Sequence, residues 1–475
     1  MLFNSIEFLL FLPTVFFLYW FVFKNQLRAQ NVLLLVASYI FYGWWDWRFL
    51  SLIIASTFLD YFIAIQLGKT DISKKRKFLL GISLVGNLGM LGFFKYYNFF
   101  VASWIEAWSS VGITMEASTL NIILPVGISF YTFQTLSYTI DVYRKEMKPT
   151  KSFIDFAAFV TFFPQLVAGP IERASHLLPQ FYKNRTFEYQ NAVDGVKLII
   201  WGMFKKVVVA DNCAFFVNKI FENPEGYSSG ELFFGMVFFA FQIYGDFSGY
   251  SDMAIGLSKL FGFDLMVNFK FPYFSRDIAE FWRRWHISLS TWFRDYIYIP
   301  LGGSKGSQGF QIRNVMIIFL VSGFWHGANW TYVAWGLFHA LMFLPLLLFN
   351  VNRSHLITKS YGWLDFAKIG FTFFVVCIGW VFFRADSLSQ AFEFLSCFFR
   401  VDSFDLDFFT KQNRYFLTFI ICLISILTVL IIEFIHVIKK EQELRFSNKI
   451  VVLLLLMIFF LGSFKNQLDF IYFQF

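Results

Sequence analysis

The sequence from Val315 to Asn352 contains Phe324-Trp325-His326-Gly327-Ala328-Asn329-Trp330 and no Asp, Glu, Lys or Arg. A membrane span needs about 20 mostly apolar residues, so this stretch is long enough to lie at membrane depth. An ionisable side chain there is costly and usually faces a protein interior or a watery cavity. His326 is therefore the first candidate functional residue, because imidazole gains or loses a proton near neutral pH. A buried structural histidine with one hydrogen bond is the alternative.

The composition extends this interpretation to the whole chain. Of 475 residues, 57% are hydrophobic, 15% are charged and 71 are phenylalanine. Soluble domains carry about 25% charged residues, so this chain cannot cover an ordinary aqueous surface. We predict an all-α polytopic membrane protein with roughly eleven transmembrane helices plus re-entrant and interfacial helices. Residues 1–475 are expected to form a single membrane-embedded domain.

The charge pattern excludes a nucleic-acid-binding protein, although the net charge is +8. Basic residues gather in short loops between apolar stretches, as at Lys74–Lys77, which is the positive-inside pattern. With that loop and the loop containing Lys24 and Arg28 inside, Met1 faces outward. The four cysteines are scattered and form no CxxC pair, so neither a metal site nor a disulfide framework is predicted.

Polar residues are densest between Gln242 and Ser304. Asp246 and Asp252 are six residues apart, about 240° around a helix, so a facing acid–base pair is not expected. Helix capping and hydrogen bonds to neighbouring helices are the favoured roles for them, although they also indicate a polar cavity or a broken helix.

The segment from Asp277 to Pro300 contains a second histidine, His286. Its spacing predicts one interfacial helix with an aromatic stripe formed by Trp282, Trp285, Leu289, Trp292 and Tyr296. Arg283, His286 and Ser290 share another face. No HExxH motif is present, and the two matches to Gly-x-Ser-x-Gly, at residues 226–230 and 302–306, do not follow a predicted strand, so any chemistry is expected to be carried by histidine.

Several motifs in this order resemble the membrane-bound O-acyltransferase (MBOAT) family, in the branch of the alginate and peptidoglycan O-acetyltransferase membrane subunits. The core motifs fall at about residues 120–390. They are Pro125–Phe130, Asp141–Arg144, Phe163–Ile171, the block Gln242–Ser304, Trp325-His326-Gly327 and Gly379–Ala385.

The resemblance implies a helical bundle around a central funnel or tunnel, with His326 and His286 as the catalytic histidines. It implies acetyl-CoA as a cytoplasmic donor, no metal, and an acetyl group passed across the bilayer. His326 would act as general base or acyl relay. The expected donor-binding residues are Arg283, Arg284, Trp285 and Ser290. The acceptor would be an exported polysaccharide, alginate-like or peptidoglycan, modified by a periplasmic or cell-surface acetyltransferase partner. The expected location is the bacterial cytoplasmic (inner) membrane, with the N-terminus outside.

Two other functions are also compatible with the sequence. One is an acyltransferase that uses a carrier-protein thioester, as in D-alanyl transfer to teichoic acid. The other is a proton-coupled transporter, since broken helices and midplane carboxylates also suit transport. The absence of repeated halves in the sequence speaks against the transporter.

Overall fold

The computed structural model describes residues 1–115, 119–356, 361–400, 403–439, 444–464 and 470–471. Every regular element in these ranges is helical, which confirms the predicted all-α class. The chain divides into two compact units, residues 1–196 with 254–266 and residues 197–253 with 267–475. The expectation of a single domain over the whole chain stays a prediction.

Within the described residues, six helical segments are long and apolar enough to cross a membrane, namely Leu27–Gly68, Ser73–Ser109, Ser229–Leu260, Trp330–Leu348, Trp363–Arg384 and Asn413–Lys439. Shorter apolar helical stretches lie at Ile6–Val22 and Asn448–Leu461. Their outward side chains are apolar: Leu9 is 71% exposed and Phe459 is 77% exposed. Such surfaces suit contact with lipid, and the chain is a multi-pass membrane protein. The number of about eleven crossings stays a prediction.

The first unit contains helices α1 to α8 and the beginning of α9. Their bounds are α1 Ile6–Phe17, α2 Leu27–Asp46, α3 Leu50–Gly68, α4 Ser73–Leu91, α5 Tyr97–Ser109, α6 Ile128–Arg144, α7 Phe153–Thr161, α8 Ala174–Leu177 and α9 Tyr189–Phe204.

A buried carboxyl group links three helices of this unit. Asp60 on α3 is fully buried and accepts hydrogen bonds from Ser83 Oγ at 2.5 Å, Asn87 Nδ2 at 2.8 Å and Thr139 Oγ1 at 3.0 Å. The donors belong to α4 and α6. Polar side chains that bond across helices stabilise bundles in lipid, because an unpaired polar group there is costly.

The second unit contains the rest of α9, most of α11, and the remaining helices. Their bounds are α10 Asp211–Glu222, α11 Ser229–Leu260, α12 Ile278–Arg284, α13 Ile287–Phe293, α14 Gln308–His326, α15 Trp330–Leu348, α16 Trp363–Arg384, α17 Leu388–Arg400, α18 Asp407–Thr410, α19 Asn413–Lys439 and α20 Asn448–Leu461.

Buried ion pairs join α11 to the π-helical turn that follows α9. Lys205 Nζ lies 2.6 Å from Asp252 Oδ2, and Lys206 Nζ lies 2.7 Å from Asp246 Oδ1. Both lysines are nearly inaccessible, at 2% and 1% side-chain exposure. Breaking one partner of a buried pair leaves an uncompensated charge, so the four side chains stabilise the packing together. The bonds to a neighbouring helix predicted for Asp246 and Asp252 are confirmed.

The prediction of one continuous interfacial helix between Asp277 and Pro300 is wrong. α12 ends at Arg284 and α13 begins at Ile287, with Trp285 and His286 between them. The interruption is held by the segment before it, because Lys270 N donates to the Arg284 carbonyl at 3.0 Å and Ile287 N donates to the Asn268 carbonyl at 2.9 Å. Helical periodicity does not reveal such tertiary hydrogen bonds.

The predicted aromatic stripe also faces protein instead of lipid. Trp285 and Leu289 are each 1% exposed, and Trp292 is 5% exposed. Trp285 stacks on Phe281 and lies 4.9 Å from Trp380, measured between ring centroids. The sequence spacing identified a shared apolar surface but not the protein core that covers it.

Two glycines allow α14 and α15 to pack closely. A Cβ on Gly323 would lie 2.2 Å from the Tyr332 carbonyl oxygen, and a Cβ on Gly336 would lie 2.3 Å from the Phe319 carbonyl oxygen. Both obstacles are backbone atoms, which cannot rotate away. Small residues at such crossings permit backbones to approach in membrane bundles.

Gly323→Ala should therefore separate α14 from α15 and lower the free energy of unfolding by about 1–3 kcal/mol, as overpacking typically does. Thermal unfolding in detergent measures the effect. Gly309→Ala is the matched control on α14, where the nearest atom to a new Cβ is Ser307 Oγ at 4.0 Å. Equal melting temperatures for the two variants would contradict this account of the helix contact.

Candidate functional site

His326 is the last residue of α14 and is only 3% exposed. Three aromatic rings surround its imidazole, with centroid distances of 5.0 Å to Trp325, 5.1 Å to Trp335 and 5.3 Å to Phe383. The three rings restrict the access of water to the imidazole. Electrostatic interactions at a water-excluded imidazole are stronger than in bulk water.

His286 lies beside His326, which is the arrangement expected if both histidines take part in one reaction. It occupies the interruption between α12 and α13 with a φ of 43°, in the left-handed region. It is 0% exposed, and the two imidazole centroids are 6.2 Å apart. A non-glycine residue in this conformation stores backbone strain, which is commonest at functional sites. The structure thus brings together two histidines that are distant in the sequence.

The surroundings of His286 keep its ring neutral. Phe247 packs edge-on at 4.7 Å and Trp325 lies at 5.9 Å between centroids. Burial lowers the pKa of His286 to about 3, because a charged ring would lose its hydration. At neutral pH the uncharged ring can therefore donate or accept a hydrogen bond, but it does not supply a positive charge.

A cavity of about 290 Å³ lies close to this pair in the same unit. Trp282, Phe319 and Ser322 form part of its wall. Ser322 precedes His326 by four residues on α14, which is about one helical turn, or 5.4 Å along the axis. The histidines themselves do not line the cavity. The cavity-lining ring of Trp282 contacts Trp335, one of the rings around His326, with 5.5 Å between centroids.

Two of the four expected donor-binding residues line this cavity, namely Arg283 and Ser290. Arg283 donates from Nη1 to the Asn352 carbonyl at 2.9 Å, and its buried Nη2 has no hydrogen-bond partner among the described residues. Burial lowers the pKa of the Arg283 guanidinium. Arg294 and Arg353 also line the cavity. The cavity therefore presents several positive groups, one of which retains an unused donor.

The other two expected donor-binding residues do not line the cavity. Arg284 Nη2 bonds to Glu280 Oε1 at 2.6 Å and to the Tyr361 hydroxyl at 2.9 Å. Trp285 is 1% exposed within the aromatic core. Their positions give both residues a structural role in holding α12. Adjacent residues on a helix point in different directions, so Arg283 and Arg284 face different surroundings.

A third buried histidine escaped the sequence reasoning. His339 on α15 is 0% exposed, and neither ring nitrogen has a hydrogen-bond partner among the described residues. Its centroid lies 5.0 Å from Trp335 and 5.1 Å from Trp282. Trp335 thus contacts both His326 and His339. The signal was available, because His339 belongs to the same uncharged apolar stretch as His326.

The MBOAT family model, described as the membrane-bound O-acyltransferase family, matches residues 145–385. This match covers about half of the chain and includes both central histidines. The chain belongs to the membrane-bound O-acyltransferase family, and it is an acyl-transferring enzyme.

Several curated proteins are similar to the chain over long ranges. It is 42% identical to the probable alginate O-acetylase AlgI of Pseudomonas aeruginosa over 87% of this chain and 78% of that protein. It is 33% identical to the peptidoglycan O-acetyltransferase of Helicobacter pylori over 100% of this chain and 98% of that protein. It is 32% identical to the teichoic acid D-alanyltransferase of Streptococcus thermophilus, over 46% of this chain and 55% of that protein.

The neutral state of His286 predicts an acid-sensitive contribution to stability. The folded pKa of about 3 lies below the unfolded value of about 6.5, so protonation favours unfolding. This stabilising contribution is present above pH 6.5 and decreases as the pH falls toward 3. The glutamine in the His286→Gln variant cannot titrate. When the pH is lowered from 7 to 5, the free energy of unfolding should therefore decrease by about 2 kcal/mol less in this variant than in the wild type. Denaturant unfolding at both pH values measures this difference; an equal loss in the two proteins would contradict it.

Proposed function

We propose that this protein is a membrane O-acetyltransferase that takes an acetyl group from acetyl-CoA and passes it across the membrane for O-acetylation of an exported polysaccharide. The observation that carries the proposal is the pairing of His326 and His286, 6.2 Å apart, one helical turn from an arginine-lined cavity. Family membership favours acyl transfer over the transporter alternative. Two of the long-range relatives carry names with O-acetylation activity, on alginate and on peptidoglycan.

The chemistry proposed for His326 is general base catalysis or acyl relay. As a base, the imidazole takes the proton from an acceptor hydroxyl while the hydroxyl oxygen attacks the thioester carbonyl carbon. The carbon–sulfur bond breaks, and the proton passes from the imidazole to the leaving thiolate. As a relay, the imidazole nitrogen attacks the thioester carbonyl carbon and the carbon–sulfur bond breaks to release the thiolate. The acceptor hydroxyl then attacks the acyl-imidazole, the carbon–nitrogen bond breaks, and the hydroxyl proton passes to the freed imidazole. The surrounding rings restrict water, which would otherwise hydrolyse the thioester.

The neutral ring of His286 suits a positioning or protonating role beside His326. It can exchange a hydrogen bond with the reacting groups without adding a buried charge. Its unusual backbone conformation fixes the direction of the side chain. Preorganised polar groups cost no rearrangement when charge develops in the transition state.

The cavity is the proposed entrance for the donor. CoA carries phosphate groups, and arginine is well suited to bind phosphate through several N–H donors. Arg283 offers the unused buried Nη2 donor, and Ser290 adds a hydroxyl on the same wall. The aromatic wall at Trp282 and Phe319 would contact the apolar part of the donor.

The identity of the acceptor is proposed from the names of the similar proteins. The acceptor would be an alginate-like polysaccharide or peptidoglycan, reached through a periplasmic or cell-surface acetyltransferase partner in the bacterial inner membrane system. The N-terminus is proposed to face outward, following the basic loops. A carrier-protein thioester bearing D-alanine is the second candidate donor, supported by the relative from Streptococcus thermophilus over 46% of this chain.

His326→Ala should abolish acetyl transfer, because neither proton removal nor acyl relay can occur without the imidazole. The assay follows labelled acetyl-CoA cleavage in proteoliposomes that contain the full chain. We expect a loss of at least about 100-fold, the lower range for general acid–base catalysis. His355→Ala is the matched control, since His355 pairs with Asp277 and lies outside both the histidine pair and the cavity lining. Unchanged cleavage in folded His326→Ala would exclude His326 from the chemistry.

Arg283→Gln should raise the KM for acetyl-CoA about tenfold and leave kcat within about threefold, because the lost interaction is with the donor's phosphates in both ground and transition states. Arg313→Gln is a control with the same charge change on α14 outside the cavity lining. Steady-state kinetics over a range of acetyl-CoA concentrations separates the two parameters. If the wild type cleaves only a D-alanyl carrier-protein thioester, the second candidate donor replaces acetyl-CoA.

A further inference from the structure

A second cavity, of about 410 Å³, lies in the first unit where the first apolar helical stretch ends. Its walls include the rings of Phe16, Trp20 and Phe187. Two cationic side chains, Lys24 and Arg185, also line it. This combination of rings and positive charge has no role in the acyl transfer described above.

Arg185 is a buried cation that forms no salt bridge with a carboxylate among the described residues, although the charge of Asp155 favours its protonated form. Its residue exposure is 7%, its Nη2 donates to Asn31 Oδ1 at 2.5 Å, and its Nη1 donates to the Gln180 carbonyl at 3.4 Å. Its buried Nε has no hydrogen-bond partner among the described residues. The carboxylate of Asp155 is linked to it only through the Asn31 amide, which bonds Asp155 Oδ1 at 2.8 Å. Burial of a charge is costly unless the charge is paired, so an anionic group at this arginine would stabilise the site.

Aromatic rings hold the guanidinium in place. It lies 4.7 Å from the centroid of Phe263 and 5.5 Å from that of Tyr19. The guanidinium keeps its positive charge in these contacts, and the faces of the rings attract it electrostatically. Trp20 forms the adjacent wall and is fixed by a hydrogen bond from Nε1 to the Leu260 carbonyl at 2.9 Å. The site is therefore ordered before any ligand binds.

The cavity opens at the boundary between apolar and polar surface. Phe17 is 57% exposed and Phe21 is 67% exposed on the apolar helical stretch, and exposed Lys24 follows immediately. Phe187, on the opposite wall, is 48% exposed. Rings and basic residues in this order are typical of the level at which lipid headgroups lie. Basic pockets between membrane helices are known binding places for anionic headgroups.

We propose that this cavity binds the phosphate headgroup of an anionic membrane phospholipid. Lys24 Nζ contacts the phosphate oxygens, the charge of the Arg185 guanidinium attracts them, and the rings of Trp20, Phe16 and Phe187 contact the glycerol and upper acyl chains. Aromatic residues form half of the lining, and they favour a lipid over a free phosphate ion, which offers no apolar group to cover these rings. The lipid supplies the anion that the buried guanidinium lacks.

Native mass spectrometry of the full-length chain in detergent tests the proposal, with added phosphatidylglycerol, phosphatidylcholine or inorganic phosphate. Phosphatidylglycerol should bind at least about tenfold more tightly than phosphatidylcholine, and inorganic phosphate should not compete at equal concentration. Lys24→Gln should weaken phosphatidylglycerol binding about fivefold, as expected for one basic residue near a membrane surface. Lys69→Gln, an exposed lysine outside the cavity, is the matched control and should bind like the wild type.

Thr186→Glu tests the site without altering the buried arginine. Thr186 is exposed and lines the cavity, so a carboxylate there should repel the phosphate and weaken phosphatidylglycerol binding at least tenfold. Thr186→Gln, of the same size, should leave binding unchanged. Equal binding of the two phospholipids, or equal binding by Thr186→Glu and Thr186→Gln, would overturn the proposal. Displacement of the lipid by equimolar inorganic phosphate would overturn the lipid assignment and leave a phosphate site.

Discussion

The hydrogen bonds between the segment 268–270 and the ends of α12 and α13 are the constraint on which the candidate site depends. They interrupt a sequence that is otherwise suited to one helix, and they hold His286 at a φ of 43°. A continuous helix would carry His286 on its regular face instead of fixing it in this conformation beside His326. Strain at one residue is offset by backbone bonds and by dense aromatic packing around Trp285. The position of the histidine pair therefore depends on this interruption between α12 and α13.

Cationic side chains have different surroundings at α11 and at the cavity lined by Arg283. At α11 the buried lysines and aspartates neutralise one another, and these pairs serve packing. At the cavity, Arg283 has a donor without a hydrogen-bond partner and forms no salt bridge with any carboxylate in the part of the chain that the structure describes. A group whose bonds are complete stabilises the fold, whereas one with unmet bonding capacity is available to a ligand. This difference distinguishes the buried lysines at α11 from the half-buried Arg283 at the cavity.

The sequence was informative about class and chemistry and less so about tertiary geometry. Apolar stretches and low charge predicted the helical membrane protein, and the imidazole of His326 within an uncharged apolar stretch indicated the candidate site. Periodicity failed at Trp285 and His286, because bonds from residues 268–270 outweigh local helix preference there. The common donor-binding role of Arg283 and Arg284 was expected from the family resemblance, and the side chains of these two residues face different partners. His339 was missed because it lies outside the motifs, and only ring contacts reveal its proximity to Trp335.

The carboxyl group of Asp60 has a consequence for biosynthesis. Its hydrogen-bond donors follow it in the chain by 23, 27 and 79 residues. During synthesis, α3 therefore emerges with a polar group whose partners on α4 and α6 do not yet exist. A lone carboxyl group is poorly accommodated by hydrocarbon, so α3 reaches its stable packing only after α6 has been synthesised. The packing of this unit is thus coupled across the first 144 residues.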